Sequence, residues 1–146
     1  MDVGDRWIGV ALSDPGEVLA SPFAIVDRLA EAGGVRSILN MVRGNNVSLI
    51  IVGLPVSMSG VAGQQAEKVQ EFVRELSGVT SVPIELRDER LSTLSAGRLM
   101  RESMGRRPKK RARDDAAAAA VILQGYLDQR MTEKSEHEGG SGGIDG

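Results

Sequence analysis

The sequence predicts an α/β protein whose sheet has an antiparallel start followed by parallel crossovers. Short apolar runs typical of strands alternate along the chain with amphipathic helical patterns. A continuously apolar, β-branched run, Leu49 to Val52, is typical of a strand covered on both faces. The length of 146 residues fits one domain, and these patterns occupy residues 1–130.

The first half of the chain is expected to form two strands, a helix and a third strand. The first two strands are Trp7 to Leu12 and Phe23 to Val26, on either side of the turn sequence SDPGE. Apolar residues at i, i+3, i+4 and i+7 from Val35 to Val42 predict a helix with one buried stripe, and a stop signal begins at Gly44. The apolar run at Leu49 to Val52 follows as the next strand.

The second half begins with a glycine-rich loop, GLPVSMSGVAG. Apolar spacing from Ala66 to Leu76 then predicts an amphipathic helix, and Val82 to Arg87 predicts a strand. Ser92 is a suitable N-cap for a further helix. An alanine run gives the last helix, Asp114 to Gln129, a high helix propensity. Residues 131–146 are rich in Gly, Ser and Glu, and this composition predicts a disordered tail.

The composition excludes several classes of function. The chain has no cysteine, which excludes a disulfide scaffold, a thiolate metal site and a cysteine nucleophile. The single histidine, His137, lies in the tail, which argues against a histidine-based triad or zinc site. There is no apolar run of ~18 residues and no signal peptide pattern, so we expect a cytoplasmic protein with no membrane partner.

Basic residues are concentrated in one predicted loop, although the formal net charge is only -2. A segment of this kind is usually a solvated loop, but next to a catalytic site it would bind the phosphates of a nucleic-acid backbone. The basic residues are Arg106, Arg107, Lys109, Lys110, Arg111 and Arg113.

Four acidic residues stand where an α/β sheet places functional groups, at strand ends and on an inward helix face. Asp2 precedes a tight turn, Asp88 and Glu89 directly follow a predicted strand, and Asp115 shares the core-directed face of the last helix with Ile122. Taken singly, Asp2 is typical of a polar terminus and Asp88-Glu89 of a surface turn. Taken together, the four acids favour a metal site.

Acids on different elements, with no cysteine and no histidine in the body of the chain, match an oxygen-ligated Mg²⁺ or Mn²⁺. Two such ions would hold the attacking and leaving oxygens of a phosphodiester during an in-line displacement.

Four segments resemble the signature blocks of the YqgF/RuvX family. They are DVGDRWIGVALSDP from Asp2, IIVGLPVSMSG from Ile50, LRDERLST from Leu86 and DAAAAAVILQGYLD from Asp115. The resemblance implies an RNase H-like fold, a mixed five-stranded sheet with helices on both faces. Members usually carry an apolar run before the D-x-G motif, where this sequence has only Met1. The first strand is therefore expected to be truncated at the N-terminus.

The resemblance also implies a metal-dependent nuclease. The family is named after Holliday junction resolvases and is described as maturing the 5′ end of precursor 16S ribosomal RNA. Asp2 matches the acid of the D-x-G block and Asp115 matches the acid that opens the last helix. The third acid lies in the DER block, where Asp88 and Glu89 both remain candidates, and Arg90 would contact a phosphate or hold the neighbouring acid.

Three functions remain open at this point. The first is a nuclease that processes precursor rRNA, and the second is a junction-cutting DNA nuclease, which needs a dimer to cut two strands symmetrically. The sequence fits a monomer or a homodimer. The third is a non-enzymatic ribosome-assembly factor that binds nucleic acid through the basic loop and tolerates acid-to-amide changes. A sugar-kinase or actin-like ATPase is excluded because it needs two such domains.

Overall fold

A computed structural model describes residues 1–55, 63–88 and 112–145, without the side chains of residues 31, 32, 112–114 and 135–145. The strands of this part are β1 (Asp2–Val3), β2 (Trp7–Ser13), β3 (Ala20–Asp27), β4 (Ile50–Leu54) and β5 (Ile84–Asp88). A single 3-10 turn, Glu31–Gly34, leads into the first of the helices, which are α1 (Val35–Gly44), α2 (Gln64–Ser77) and α3 (Ala112–Asp145).

The strands form two sheets, an antiparallel one of order β1-β2-β3 and a parallel pair, β4 and β5. In the first sheet Asp2 lies opposite Gly9, and in the second Leu54 lies opposite Asp88. The mixed α/β class and the antiparallel start are therefore confirmed. The strand pairing gives one sheet of three strands and one of two, so the expected single sheet of five strands is not confirmed.

Met1 joins the two sheets through its backbone. Its amino group donates to the carbonyl oxygen of Ile51 at 2.5 Å, and its carbonyl oxygen accepts from the N–H of Gly53 at 3.0 Å. Two bonds to residues on either side of Val52 are the pattern of a parallel ladder in which Met1 faces Val52. β1 therefore lies between β2 and β4.

The main core lies between the strands and the helices α1 and α2. Its largest fully buried side chains include Ile8 of β2, Ile38 of α1, and Phe72 and Leu76 of α2. Burying each side chain of this size stabilises the fold by roughly 1.5–3 kcal/mol. These side chains belong to the positions that the apolar spacing predicts to face inward, so this face of the sheet follows from the sequence pattern.

Helix α3 packs on the opposite face of β2. Gly9 alternates with the core residues Ile8 and Val10, so it points to the other side of the strand, where α3 lies. The predicted inward face of α3 is confirmed at Ala119 and Ile122, which are 0% and 5% exposed.

One element boundary agrees with the sequence pattern, and two others differ from it. α1 ends at Gly44 with Asn45 as its C-cap, as the stop signal predicts. β3 begins at Ala20, earlier than predicted, because it pairs with β2 as far as Ser13. α3 continues as helix past residue 130 to Asp145, while the predicted disorder of residues 131–146 stays a prediction that hydrogen exchange would test.

The helix predicted to start at Ser92 lies outside the described residues, as does most of the glycine-rich loop. Within the described part of the chain, none of the helices combines the length and the apolar character that a membrane span requires.

Candidate active site at the carboxyl edge of the strands

The candidate site lies at the edge where β1, β4 and β5 end. β4 and β5 are parallel, and the bonds of Met1 make β1 parallel to β4, so Val3, Leu54 and Asp88 end at one edge. β2 runs antiparallel to β1 and therefore starts at this edge, with Trp7. Open α/β sheets bind their ligands outside the carboxyl ends of the strands.

Asp2 and Asp115 lie on the same face of the sheet, on either side of Gly9. Asp2 is the strand partner of Gly9, and directly opposed residues in an antiparallel pair point to the same face. The backbone of Gly9 packs against Asp115, since a Cβ on Gly9 would collide with the carbonyl group of Asp115 and come within 2.8 Å of the N atom of Ala116. Both acids are partly exposed. The structure thus places both predicted residues next to Gly9 on one face of the sheet.

Asp88 ends β5 on the other face of the sheet. The preceding residue, Arg87, faces α3, because its Nη1 donates to the Oε1 of Gln129 at 2.7 Å and its guanidinium lies against Gly125. Strand alternation then turns Asp88 to the side away from α3. The register therefore separates Asp88 from the face that carries Asp2 and Asp115.

The other predicted site residues lie outside the described residues or lack described side chains. Those outside are Glu89, Arg90, Arg106, Arg107, Lys109, Lys110 and Arg111, and the side chain of Arg113 is not described. Their predicted roles stay predictions.

The donor set of the site consists of carboxylate oxygens, which suits a hard divalent cation. Over residues 1–55, 63–88 and 112–145, however, no three Asp, Glu, His or Cys side chains come together to hold a metal ion. Within these residues, Asp2 and Asp115 supply two carboxylates on one face of the sheet.

Two contacts that the sequence pattern did not predict fix the turn after Asp2. Arg28 donates from Nη1 to the carbonyl oxygen of Gly4 at 2.8 Å, and Lys68 of α2 donates to the Oδ1 of Asp5 at 3.1 Å. The turn itself closes with a bond from the N–H of Gly4 to the carbonyl oxygen of Trp7 at 2.9 Å. These partners are distant in sequence, so no local pattern pointed to them.

The close approach at Gly9 did leave a signal in the sequence. A glycine inside an otherwise apolar strand often marks the approach of another backbone, and Gly9 stands in the middle of WIGVAL. The rule indicates a close approach at Gly9, but only the structure identifies the start of the last helix as the partner.

A cavity lies at the opposite edge of the sheet. It measures about 550 Å³ and is bordered by the end of β2, the end of α1 and the start of β4, including Ser13, Asn45 and Ile50. Met1 also borders it, but most of its lining comes from the opposite ends of the strands, and neither Asp2 nor Asp115 lines it, so it is not the candidate active site. Asp14 lies on its rim, and the N–H groups of Leu19 and Val18 hold the pKa of its carboxyl below the usual range.

A second cavity, of about 470 Å³, lies between β5 and α3. It is lined by both acids and bases, among them Glu85 and Arg87 of β5 and Arg130 and Glu133 of α3, and it extends to Asp88, where β5 ends. This mixed lining has no net positive charge of the kind that attracts a phosphate backbone.

Comparison with known proteins gives a consistent picture. Residues 1–129 match the family model described as "RuvX: Holliday junction resolvase". A protein from Dehalococcoides mccartyi is 50% identical over 127 residues, which are 87% of this chain and 94% of the relative. A protein from Roseiflexus sp. is 43% identical over 130 residues, 89% of this chain and 92% of the relative. A protein from Chloroflexus aurantiacus is 40% identical over 140 residues, 94% of this chain and 91% of the relative. All three relatives are named "Putative pre-16S rRNA nuclease".

Proposed function

The chain belongs to the RuvX family, and we propose that it is a nuclease that hydrolyses phosphodiester bonds in precursor 16S ribosomal RNA. One observation carries the proposal: Asp2 and Asp115 lie on one face of the sheet at the edge where β1 ends. The names of the relatives support the class of reaction and the RNA substrate. Precursor rRNA as the substrate also implies a cytoplasmic role.

The site is proposed to hold Mg²⁺ or Mn²⁺, as two ions, between Asp2, Asp115 and a third acid. When bound, such ions supply electrostatic stabilisation of the charge that develops on the phosphate oxygens. For the third acid we favour Glu89 over Asp88. Arg87 faces α3, so strand alternation turns Asp88 to the face opposite Asp2.

Three contacts of the described residues position the two acids of the proposed site. Gly9 lets α3 begin in backbone contact with β2, which holds Asp115 beside Asp2. The hydrogen bonds of Arg28 and Lys68 fix the turn that follows Asp2. We propose that Arg90 and the basic residues from Arg106 to Arg113 bind the phosphates of the RNA backbone.

We also propose that the two sheets form one RNase H-like sheet with the order β3-β2-β1-β4-β5. The two backbone hydrogen bonds of Met1 to Ile51 and Gly53 support this arrangement. In a sheet of this order the helices α1 and α2 cover one face and α3 covers the other.

A junction-cutting DNA nuclease is the second candidate, since the matching family model is described as a Holliday junction resolvase. It would act as a homodimer, because two strands must be cut symmetrically. The measured oligomeric state in solution, monomer or homodimer, therefore bears on the choice of substrate.

The test is a cleavage assay with Mg²⁺ or Mn²⁺ against EDTA. A precursor 16S 5′-leader RNA and a four-way DNA junction are offered side by side to the wild type and to Asp115→Asn. Asp128→Asn is the matched control, because Asp128 is an exposed acid on the same helix. We expect metal-dependent cutting that is lost in Asp115→Asn and kept in Asp128→Asn, and the substrate that is cut decides between RNA and DNA.

Binding without cutting by the wild type would contradict the proposal and favour an assembly factor. The variants Asp88→Asn and Glu89→Gln identify the third acid: we expect Glu89→Gln to abolish cutting and Asp88→Asn to keep most of it. The reverse result would mean that the chain turns between Arg87 and the DER acids in a way that strand alternation does not give.

A further inference from the structure

Trp7 lies at the candidate active edge, on the same face as Asp2. It opens β2, and in the register of the β1–β2 hairpin Asp2 faces Gly9, two residues further along the strand. Residues two apart on a strand point to the same face, so Trp7, Gly9 and Asp2 share one side of the sheet. Diagonal neighbours of this kind are ~7–8 Å apart, within the reach of an aromatic side chain.

Trp7 is not part of the buried core. The next three residues, Ile8 to Val10, are buried, whereas Trp7 is only partly buried. α3 meets β2 at Gly9 and continues past Ser13, since Gln124 bonds to Ala20, the strand partner of Ser13. The helix therefore runs away from Trp7, which lies beside its N-terminal end.

The ring of Trp7 carries a guanidinium on its face. The Cζ of Arg6 is 4.7 Å from the ring centroid, within the range of a cation–π contact. Asp27, the β3 partner of Trp7, holds this guanidinium with an Nε to Oδ1 distance of 3.7 Å. The side chain of Arg6 is nevertheless 57% exposed. The pair thus presents an exposed guanidinium over the ring at the start of β2, on the β3 side of Trp7, with its charge partly balanced by Asp27.

We propose that Trp7 and Arg6 form a stacking platform for an unpaired base of the nucleic-acid substrate, next to the phosphate that is cut. The proposal rests on the proposed nuclease function and adds a positioning site to it. Aromatic rings and guanidinium planes both stack on unpaired bases, and the positive charge attracts the neighbouring phosphate. Only 3% of the residues are aromatic, so a single ring paired with an arginine takes the place of a larger aromatic surface.

Fluorescence provides a direct test, because Trp7 is the only tryptophan of the chain. The full-length Asp115→Asn protein in EDTA is titrated with a short single-stranded RNA, so that binding is observed without cleavage. We expect saturable quenching of Trp7 by this RNA and little quenching by an abasic strand of the same length. A DNA strand of the same sequence shows whether the sugar matters at this position.

The matched variants are Trp7→Ala and Phe23→Ala, with affinities measured by anisotropy of labelled RNA. Phe23 is a partly exposed aromatic residue of β3, 47% exposed, and lies away from the candidate edge. Loss of one stacked base should weaken binding about 5- to 150-fold in Trp7→Ala. Phe23→Ala should bind as the parent protein does, and Trp7→Phe should recover part of the loss.

Equal affinity of Trp7→Ala and Phe23→Ala, or unchanged Trp7 fluorescence at saturating RNA, would overturn the platform. If Trp7→Ala fails to fold, protection of Trp7 in the parent protein from acrylamide quenching by bound RNA decides the question alone. The platform and the nuclease fail separately. If the protein cleaves RNA but Trp7 fluorescence and RNA affinity do not respond to Trp7, only the platform is rejected. If RNA quenches Trp7 but no metal-dependent cleavage is seen, only the nuclease is rejected.

Discussion

Replacing Gly9 by alanine tests whether the position of Asp115 depends on the close contact between β2 and α3. A Cβ at this position would collide with the carbonyl carbon and oxygen of Asp115, which are backbone atoms and cannot rotate away. The start of α3 must therefore move from β2 by roughly 1 Å, and a displacement of that size in a catalytic group can cost about 10²-fold in rate.

The same collision lowers stability. Overpacking in a closely packed region costs about 1–3 kcal/mol. For a chain of this size each kcal/mol lowers the melting temperature by roughly 3–4 °C, so we expect a decrease of about 3–12 °C. Thermal melts followed by circular dichroism measure this change, and cleavage rates are compared well below the melting temperature of the variant.

Gly44→Ala is the control for this experiment. Gly44 is the last residue of α1, and a Cβ there has no atom within 4 Å. This change should raise stability by up to about 1 kcal/mol and leave the cleavage rate unchanged. A Gly9→Ala protein that melts and cuts like the wild type would refute the close contact. A lower melting temperature with an unchanged rate would show that the contact serves packing alone.

Three further changes test other contacts of the structure. Gln124→Ala removes three hydrogen bonds, including those that tie α3 to the β2–β3 turn, and should cost about 1–3 kcal/mol in urea unfolding. The control is Gln65→Ala at an exposed glutamine of α2, which should cost about 0.5 kcal/mol or less. Asp14 has a lowered pKa, so its stabilisation is present above the unfolded-state pKa of about 3.9 and is lost as the pH falls through the folded-state pKa. The melting-temperature difference between wild type and Asp14→Asn should therefore be present near neutral pH and vanish in acid; a pH-independent difference would contradict this. Arg87→Met removes the buried Nε, which has no hydrogen-bond partner, and should leave the unfolding free energy within about 1 kcal/mol of wild type; a loss of several kcal/mol would contradict this.

Local patterns were sufficient for most of the described elements. Alternating and helical apolar spacing located β2, α1 and α2, because each buries one face and so carries the period of its backbone. The stop of α1 at Gly44 and the buried Ala119 and Ile122 follow from the same rules. These features depend on neighbours in the sequence, and a single sequence contains them.

Long-range contacts were beyond such patterns. The bonds of Arg28 to Gly4 and of Lys68 to Asp5 join distant parts of the chain, and neither residue belongs to a recognisable motif. The face of Asp88 also required the structure, since it depends on the contact between Arg87 and Gln129. Two acids that are neighbours in sequence cannot be ranked as ligands until it is known which face of the sheet the side chains of the preceding strand take.

The side of β2 that faces α3 determines where Asp115 and Trp7 lie at the candidate active edge. Its side chains come from Trp7, Gly9 and Ala11, in the order large, none and small. Gly9 is the only one of the three that permits backbone contact, so the start of α3, and Asp115 with it, is fixed there, beside Asp2. The large Trp7 lies two residues before this contact, beside the N-terminal end of α3, and its ring and Arg6 lie at the edge. The position of Asp115 relative to Asp2 and the surroundings of Trp7 thus both depend on where α3 meets Gly9, and a helix displaced by Gly9→Ala should disturb both.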